Sequence, residues 1–123
     1  MIRLGVSLLI CGMSCAVFVP HSFADDVGIA SYYSYECASM PMANGNDFDP
    51  EKRTCASWFY DLGTVLAVKC LDTGRTTEVT VTDRGPHERL VRKGRIIDLS
   101  KRAFEDLCNL DKGLTKVIVS QVN

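Results

Sequence analysis

The residues whose types and spacing could support chemistry lie between positions 76 and 100, in TTEVTVTDRGPHERLVRKGRIIDLS. This stretch holds two carboxylates that could donate and accept a proton, Asp83 and Asp98, with a histidine, His87, between them. Burial or a neighbouring charge changes how readily a carboxylic acid gives up its proton, and proteins use both to prepare such groups for acid–base catalysis. We therefore predict that Asp83 and Asp98 are the catalytic candidates.

Each candidate also has a purely structural interpretation. Asp83 could only cap the turn that follows it, and Asp98 could only hold Arg95 or a loop amide. His87 lies in a charged loop and could be solvated. The guanidinium groups of this region, Arg84 and Arg95 among them, either form a solvated face or attract an anionic polymer.

A strand is predicted to carry the first carboxylate. Val79 and Val81 alternate with threonines, which is the period-2 pattern of a half-buried strand. The strand leads directly into Asp83–Pro86, where Gly and Pro force the chain to turn. An acidic side chain at the end of a rigid strand, where a loop opens, is well positioned for a site.

Further elements follow from apolar periodicity and turn residues. A short helix is predicted with Ser100 as its N-cap and one apolar face. Asp49-Pro50 could start a helical turn through Thr54, and Asp72–Arg75 reads as a hairpin turn. Other strands are predicted over Val27–Tyr33, Val65–Cys70 and Lys116–Val122. One short helix among several strands, in a chain with room for one domain, predicts a small closed barrel.

The N-terminus has the pattern of a secretory signal peptide. Arg3 precedes an apolar run from Leu4 to Val19, which is shorter than the ~20 residues needed to span a bilayer. Small residues at Ser22 and Ala24 suit a signal peptidase. We predict a signal peptide over 1–24 and a domain over 25–123 that is periplasmic or secreted, without stable membrane insertion after cleavage. A retained anchor is the alternative, and the contexts of Cys11 and Cys15 do not favour lipidation.

Net charge and cysteine content restrict the classes of ligand that the chain could bind. The formal net charge is −1 at pH 7, which argues against a nucleic-acid-binding protein. The predicted domain keeps four cysteines: Cys37, Cys55, Cys70 and Cys108. In an exported chain these predict two disulfides, with three possible connectivities that the sequence does not separate. Zinc binding usually shows paired CxxC spacing, which is missing here, so we predict no metal.

Aromatic residues offer a second kind of contact. Tyr32, Tyr33, Tyr35 and Trp58 could pack in the core or at its rim. Alternatively, an aromatic ring could stack on the apolar C–H face of a sugar.

Five segments in order carry a resemblance to a known family. They are Gly28–Tyr33, Met42–Gly45, Leu62–Thr64, Val81–Pro86 and Gly94–Ser100. On these segments the chain resembles the RlpA-like (rare lipoprotein A) double-psi β-barrels, relatives of expansins and barwin, over nearly the whole predicted domain.

The resemblance implies a mainly β fold, a six-stranded double-psi β-barrel with one or two short helices. It also implies an exported lytic transglycosylase that acts on peptidoglycan glycan strands, often ones stripped of stem peptides. We further predict a monomer that needs no cofactor. The essential aspartate of the family corresponds to Asp83, with Asp98 in support. Because the reaction needs no water nucleophile, one carboxyl group can act first as acid and then as base, whereas glycoside hydrolases use two.

Two family positions differ here. Asn46 stands where the family has Glu, and Ser57 stands where it has His. His87 is a possible substitute for that histidine, and the link over His87–Lys93 is longer than usual. The predicted substrate-binding residues are Tyr33, Asn46, Ser57, Arg84, His87 and Arg95. These differences leave open a non-catalytic, expansin-like or barwin-like glycan-binding module, and, less favoured, an exported effector or inhibitor on the same scaffold.

Overall fold

The computed structural model describes residues 25–33 and 35–123. The predicted signal peptide over 1–24 lies outside the described residues. In the part of the chain that the structure describes, no helix is long and apolar enough to cross a membrane.

Six strands and two short helices make up the domain. The strands are β1 (Asp26–Tyr32), β2 (Thr54–Ala56), β3 (Val65–Cys70), β4 (Thr76–Asp83), β5 (Arg95–Leu99) and β6 (Thr115–Gln121). The helices are α1 (Glu88–Val91) and α2 (Lys101–Leu107), and single 3-10 turns cover Tyr35–Cys37 and Leu110–Lys112.

The strands close into one barrel in the order β1-β5-β2-β4-β3-β6. The pairs β1–β5 and β2–β4 are parallel, and the other four pairs are antiparallel. Parallel neighbours require crossover connections, so strands distant in the sequence become adjacent. The closed six-stranded barrel with two helices confirms the predicted double-psi fold class.

The barrel is filled by alternate side chains of its strands and sealed by α2. In β4, Thr77, Val79 and Val81 point inward, which confirms the predicted period-2 pattern. The hydroxyl of Ser100 accepts the N–H of Ala103 at 3.3 Å, so the predicted N-cap is also confirmed. Phe104, a residue of α2, is fully buried.

Several local predictions differ from the structure. β1 and β6 each begin and end one residue earlier than expected. No helix forms after Asp49, because the chain makes only a turn in which Asp49 accepts the N–H of Glu51 before β2 begins. The helix α1 was not predicted, since none of its residues is fully buried and its apolar face is short.

The four cysteines within the described residues are free thiols, so the two predicted disulfides are not seen there. Cys55 lies in β2 with no exposed surface, opposite Val81 and Leu99 in the neighbouring strands. Burial, and then the charge of Asp98, raises the pKa of the Cys55 thiol, which keeps it protonated. A protonated thiol enclosed in the barrel wall is poorly placed for exchange with an external disulfide.

Candidate functional site

Asp83 is the last residue of β4, and its half-buried carboxylate receives three hydrogen bonds. The Oδ1 atom accepts the main-chain N–H groups of Ala43 at 2.9 Å and Arg84 at 2.8 Å. The Oδ2 atom accepts the Tyr33 hydroxyl at 3.0 Å. The carboxylate therefore joins the end of β1, the loop around Ala43 and the end of β4.

The loop that contains Ala43 folds back on itself. Its ends are joined by a bridge between Pro41 and Asp47, and Gly45 takes a φ of +92°, a conformation that glycine adopts easily. The N–H of Asn44 donates to the carbonyl of Thr82 at 3.1 Å. This contact and the Ala43 contact hold the loop against β4.

A groove of about 140 Å³ opens beside Asp83. Its lining includes Tyr33, which packs edge-on against Phe48 with ring centroids 4.8 Å apart. Burial, followed by the charge of Asp83, raises the pKa of Tyr33 far above its ordinary value. Tyr33 therefore remains a hydrogen-bond donor to Asp83. The full lining is Tyr33, Cys37, Met40, Pro41, Met42, Phe48 and Asp83.

Asp98 is brought to the same region by strand pairing. In β5 it lies opposite Ser31 of β1 and Ala56 of β2. The Ser31 hydroxyl donates to its Oδ1, and an Nη2 atom of Arg95 lies 4.0 Å from the same oxygen. Burial raises the pKa of Asp98, although Ser31 and Arg95 act in the opposite direction, and the charge of Asp83 adds to the increase.

Gly85 allows the chain to pass close to Asp98. Its φ is +156°, and a Cβ built there would lie 3.3 Å from Asp98 Oδ2 and 3.4 Å from the Cβ of Ala56. A side chain at this position would be strained by the backbone and crowded by the carboxylate. The Gly of the Asp-Arg-Gly-Pro turn is thus a packing requirement of the site.

Arg84 and Ser57 form hydrogen bonds that hold the chain next to the site. The guanidinium of Arg84 donates to the carbonyls of Ser57 at 2.9 Å and Tyr60 at 2.7 Å. Ser57 is 1% exposed, and its hydroxyl accepts the N–H of Phe59 at 3.0 Å. In the structure their polar groups hydrogen-bond to the backbone of residues 57–60, and their role in substrate binding stays a prediction.

The other predicted binding residues lie in different settings. Asn46 is exposed on the loop whose Ala43 N–H binds Asp83. His87 is the N-cap of α1, where its Nδ1 accepts the N–H of Arg89 at 3.1 Å. Arg95 is half-buried and donates to the Ser31 hydroxyl at 2.9 Å, so it belongs to the surroundings of Asp98.

Two exposed aromatic residues form a surface that the sequence only hinted at. Trp58 and Phe59 are 55% and 53% exposed, and they line a cavity of about 310 Å³ together with Glu88 and Val91 of α1. The indole N–H of Trp58 donates to the carbonyl of Pro86 at 2.6 Å, which fixes the ring beside the turn after Asp83. In the sequence, this surface is indicated by the two consecutive aromatic residues directly after Ser57.

Within residues 25–33 and 35–123, no group of three or more His, Cys, Asp or Glu side chains could hold a metal ion.

Comparison with known proteins agrees with this geometry. A family model described as "Lytic transglycolase" matches residues 25–119. The chain belongs to the RlpA-like double-psi β-barrel family.

Its curated relatives in that family are longer proteins. The chain is 34% identical over 96 residues to the probable endolytic peptidoglycan transglycosylase RlpA of Treponema pallidum, covering 78% of this chain and 29% of that relative. It is 38% identical over 92 residues to the protein of the same name from Nostoc sp., covering 73% and 24%. The chain thus matches less than a third of the length of these RlpA relatives.

Solved structures extend the likeness to related barrels. The Streptomyces papain inhibitor has a TM-score of 0.64 and 25% identity, covering 81% of this chain and 96% of its own. A mutant of Clavibacter michiganensis expansin, solved in complex with cellohexaose, has a TM-score of 0.62 and 21% identity, covering 81% and 51%. The expansin likeness shows the fold alone.

Proposed function

We propose that this chain is an exported lytic transglycosylase that cleaves peptidoglycan glycan strands, with Asp83 as the acid and base. The observation that carries the proposal is the position of Asp83, half-buried at the end of β4 beside a groove. The names of the RlpA relatives give the substrate class.

The proposed reaction uses one carboxyl group twice. Protonated Asp83 donates its proton to the glycosidic oxygen as the C1–O bond of the muramic residue breaks. The resulting carboxylate accepts the proton of the 6-hydroxyl of the same sugar, and O6 bonds to C1. The products are a 1,6-anhydro end and a free 4-hydroxyl, the proton returns to Asp83, and no water is consumed.

Asp98 acts in this proposal as a positioning residue. It borders Gly85, and burial raises its pKa, so it resists ionisation more than an ordinary aspartate. The charge of Asp83 adds to that increase, so the two carboxyl groups interact and the protonation of one depends on the other. Tyr33, which donates to Asp83, aligns the carboxyl group from the groove side.

A non-catalytic glycan-binding module is the second candidate. Asn46 and the buried Ser57 occupy the places where the family has Glu and His, and neither can act as an acid or base near neutral pH. The expansin of similar fold was solved with a glycan, cellohexaose. The exposed ring of Trp58 is available for stacking on a sugar in either function.

Product analysis tests the proposal. The full chain and its Asp83→Asn variant are incubated with purified glycan strands, with and without stem peptides, and 1,6-anhydro ends are measured by mass spectrometry. We expect 1,6-anhydro products from the native chain and a decrease of about 10²-fold or more in the variant, the usual contribution of a general acid.

Glu78→Gln is the matched control, because Glu78 is an exposed carboxylate on the same strand. It should leave product formation unchanged. Retention of glycan strands by both the native chain and Asp83→Asn, without any anhydro product, would overturn the enzymatic proposal and support the binding module.

A further inference from the structure

Two of the free thiols meet where β3 ends and α2 ends. Cys70 is the last residue of β3, and Cys108 directly follows α2 as its C-cap. The thiol of Cys70 lies 3.3 Å from the Thr115 hydroxyl, and the thiol of Cys108 is near enough to both groups for each of them to affect its pKa. The two thiols are therefore direct neighbours around one hydroxyl.

Other contacts hold the two segments together at this point. The Thr73 hydroxyl, in the turn after Cys70, donates to the carbonyl of Leu107 at 2.7 Å. Lys112, shortly after Cys108, pairs with Asp72 in the same turn. The thiols are thus kept adjacent by bonds on each side of them, without relying on their own contact.

The surroundings differ between the two thiols. Cys70 is fully buried, whereas Cys108 is 6% exposed and borders a polar surface cavity of about 630 Å³. Although burial opposes it, hydrogen bonds from Thr115 and Thr73 lower the pKa of Cys70. Burial, and then the charge of Cys70, raises the pKa of Cys108. Cys108 is the thiol that an external reagent can reach, and Cys70 is the one that ionises more readily.

We propose that Cys70 and Cys108 form a disulfide, made by exchange with a disulfide-bearing oxidant such as glutathione disulfide or a thiol oxidoreductase. The Cys108 thiolate attacks one sulfur of the oxidant, forms a mixed disulfide and expels one thiolate. The Cys70 thiolate then attacks the Cys108 sulfur, forms the Sγ–Sγ bond and expels the second thiolate. The pair loses two protons and two electrons, and the oxidant is reduced to two thiols.

The bond would join regions far from the candidate site. The β3–β4 register places Lys69 opposite Thr76, at the start of β4, whereas Asp83 ends that strand. The eight residues of β4 therefore lie between the thiols, near its first residue, and Asp83 at its last. This length corresponds to roughly 20 Å. The disulfide should change the stability of the barrel and leave the groove beside Asp83 as it is.

Peptide mapping of the full chain tests the pairing. The reduced protein is equilibrated with glutathione disulfide and then unfolded in denaturant that contains excess N-ethylmaleimide, which blocks every free thiol, and the chain is digested with trypsin. Trypsin isolates Cys70 on fragment 70–75 and Cys108 on fragment 103–112. We expect these fragments linked to each other in the oxidised sample, and separate after reduction.

Thermal unfolding measures the effect of the disulfide on stability. The bond closes a long loop, so oxidation should raise the Tm of the native chain by roughly 10 °C. The rise should be lost in Cys108→Ala and kept in Cys37→Ala, whose thiol borders the groove beside Asp83. Maleimide on both fragments after oxidation, or linkage of either to a fragment carrying Cys37 or Cys55, would overturn the proposal. The peptide map decides this even if Cys108→Ala fails to fold.

Discussion

Replacing Asp83 by alanine should destabilise the domain, whereas replacing it by asparagine should not. The carboxylate accepts hydrogen bonds from Ala43, Arg84 and Tyr33, and it is the point where three segments meet. Alanine leaves all three donors without this acceptor. Asparagine keeps an oxygen for the two main-chain N–H groups, and its amide N–H can donate to the Tyr33 oxygen.

The size of the effect follows from those contacts. A hydrogen bond to a charged group contributes about 1.5–3 kcal/mol, but water can replace part of it at a half-exposed site, so about 0.5–1 kcal/mol for each donor is reasonable. Asp83→Ala should therefore lower the free energy of unfolding by about 2 kcal/mol, which for a domain of this size lowers Tm by about 10 °C. Asp83→Asn should change Tm by less than about 3 °C.

Thermal unfolding followed by circular dichroism measures both variants beside the native chain and Glu78→Gln. Equal losses in the alanine and asparagine variants would refute the reasoning, because they would mean that negative charge, not hydrogen-bond acceptance, holds the loop. No loss in the alanine variant would mean that the contact of Asn44 with Thr82 holds the loop without Asp83. The expected result makes Asp83→Asn the proper variant for activity measurements.

Two further predictions concern the surroundings of Asp98. Because burial raises the pKa of Asp98 above its unfolded value, the folded state binds more protons, and the native chain should lose stability as pH rises from the unfolded pKa through the raised one. Asp98→Asn should remove that loss, so the Tm of the variant minus the Tm of the native chain should increase with pH. Parallel Tm–pH curves for the two proteins would contradict this. Gly85→Ala should lower the free energy of unfolding by about 1–3 kcal/mol through backbone strain and crowding of Asp98. Gly74→Ala, with φ of +76° but no atom within 4 Å, should lose less, and equal losses in chemical denaturation would show that the crowding is unimportant.

The elements set by local pattern could be predicted from the sequence. The alternation in β4, the hairpin before it and the Ser100 cap depend on residues close to each other in the chain. β2 could not be delimited, because its three residues form a strand only by pairing with β4 and β5. The parallel pairing of β1 with β5 is likewise a property of the closed barrel.

The candidate site could likewise be predicted only in part, because some of its contacts form only in the folded barrel. The motifs identify Asp83 and Asp98, although no strand was predicted around Asp98, and the structure brings both into the region of Tyr33. The roles of Arg84 and Ser57 depend on which way their polar groups turn, and they turn toward the backbone of residues 57–60. The Arg84 contacts join it to residues 27 and 24 positions away in the chain, which a local sequence pattern does not show.

The closed strand order also restricts how this domain can recognise a polymer. Each strand of the described barrel has a hydrogen-bonded neighbour on both sides. An extended peptide therefore has no free edge strand of the described barrel to join as an extra strand. Under the proposed function, discrimination between bare and peptide-bearing glycan would then fall to the loops and to exposed aromatic rings such as that of Trp58.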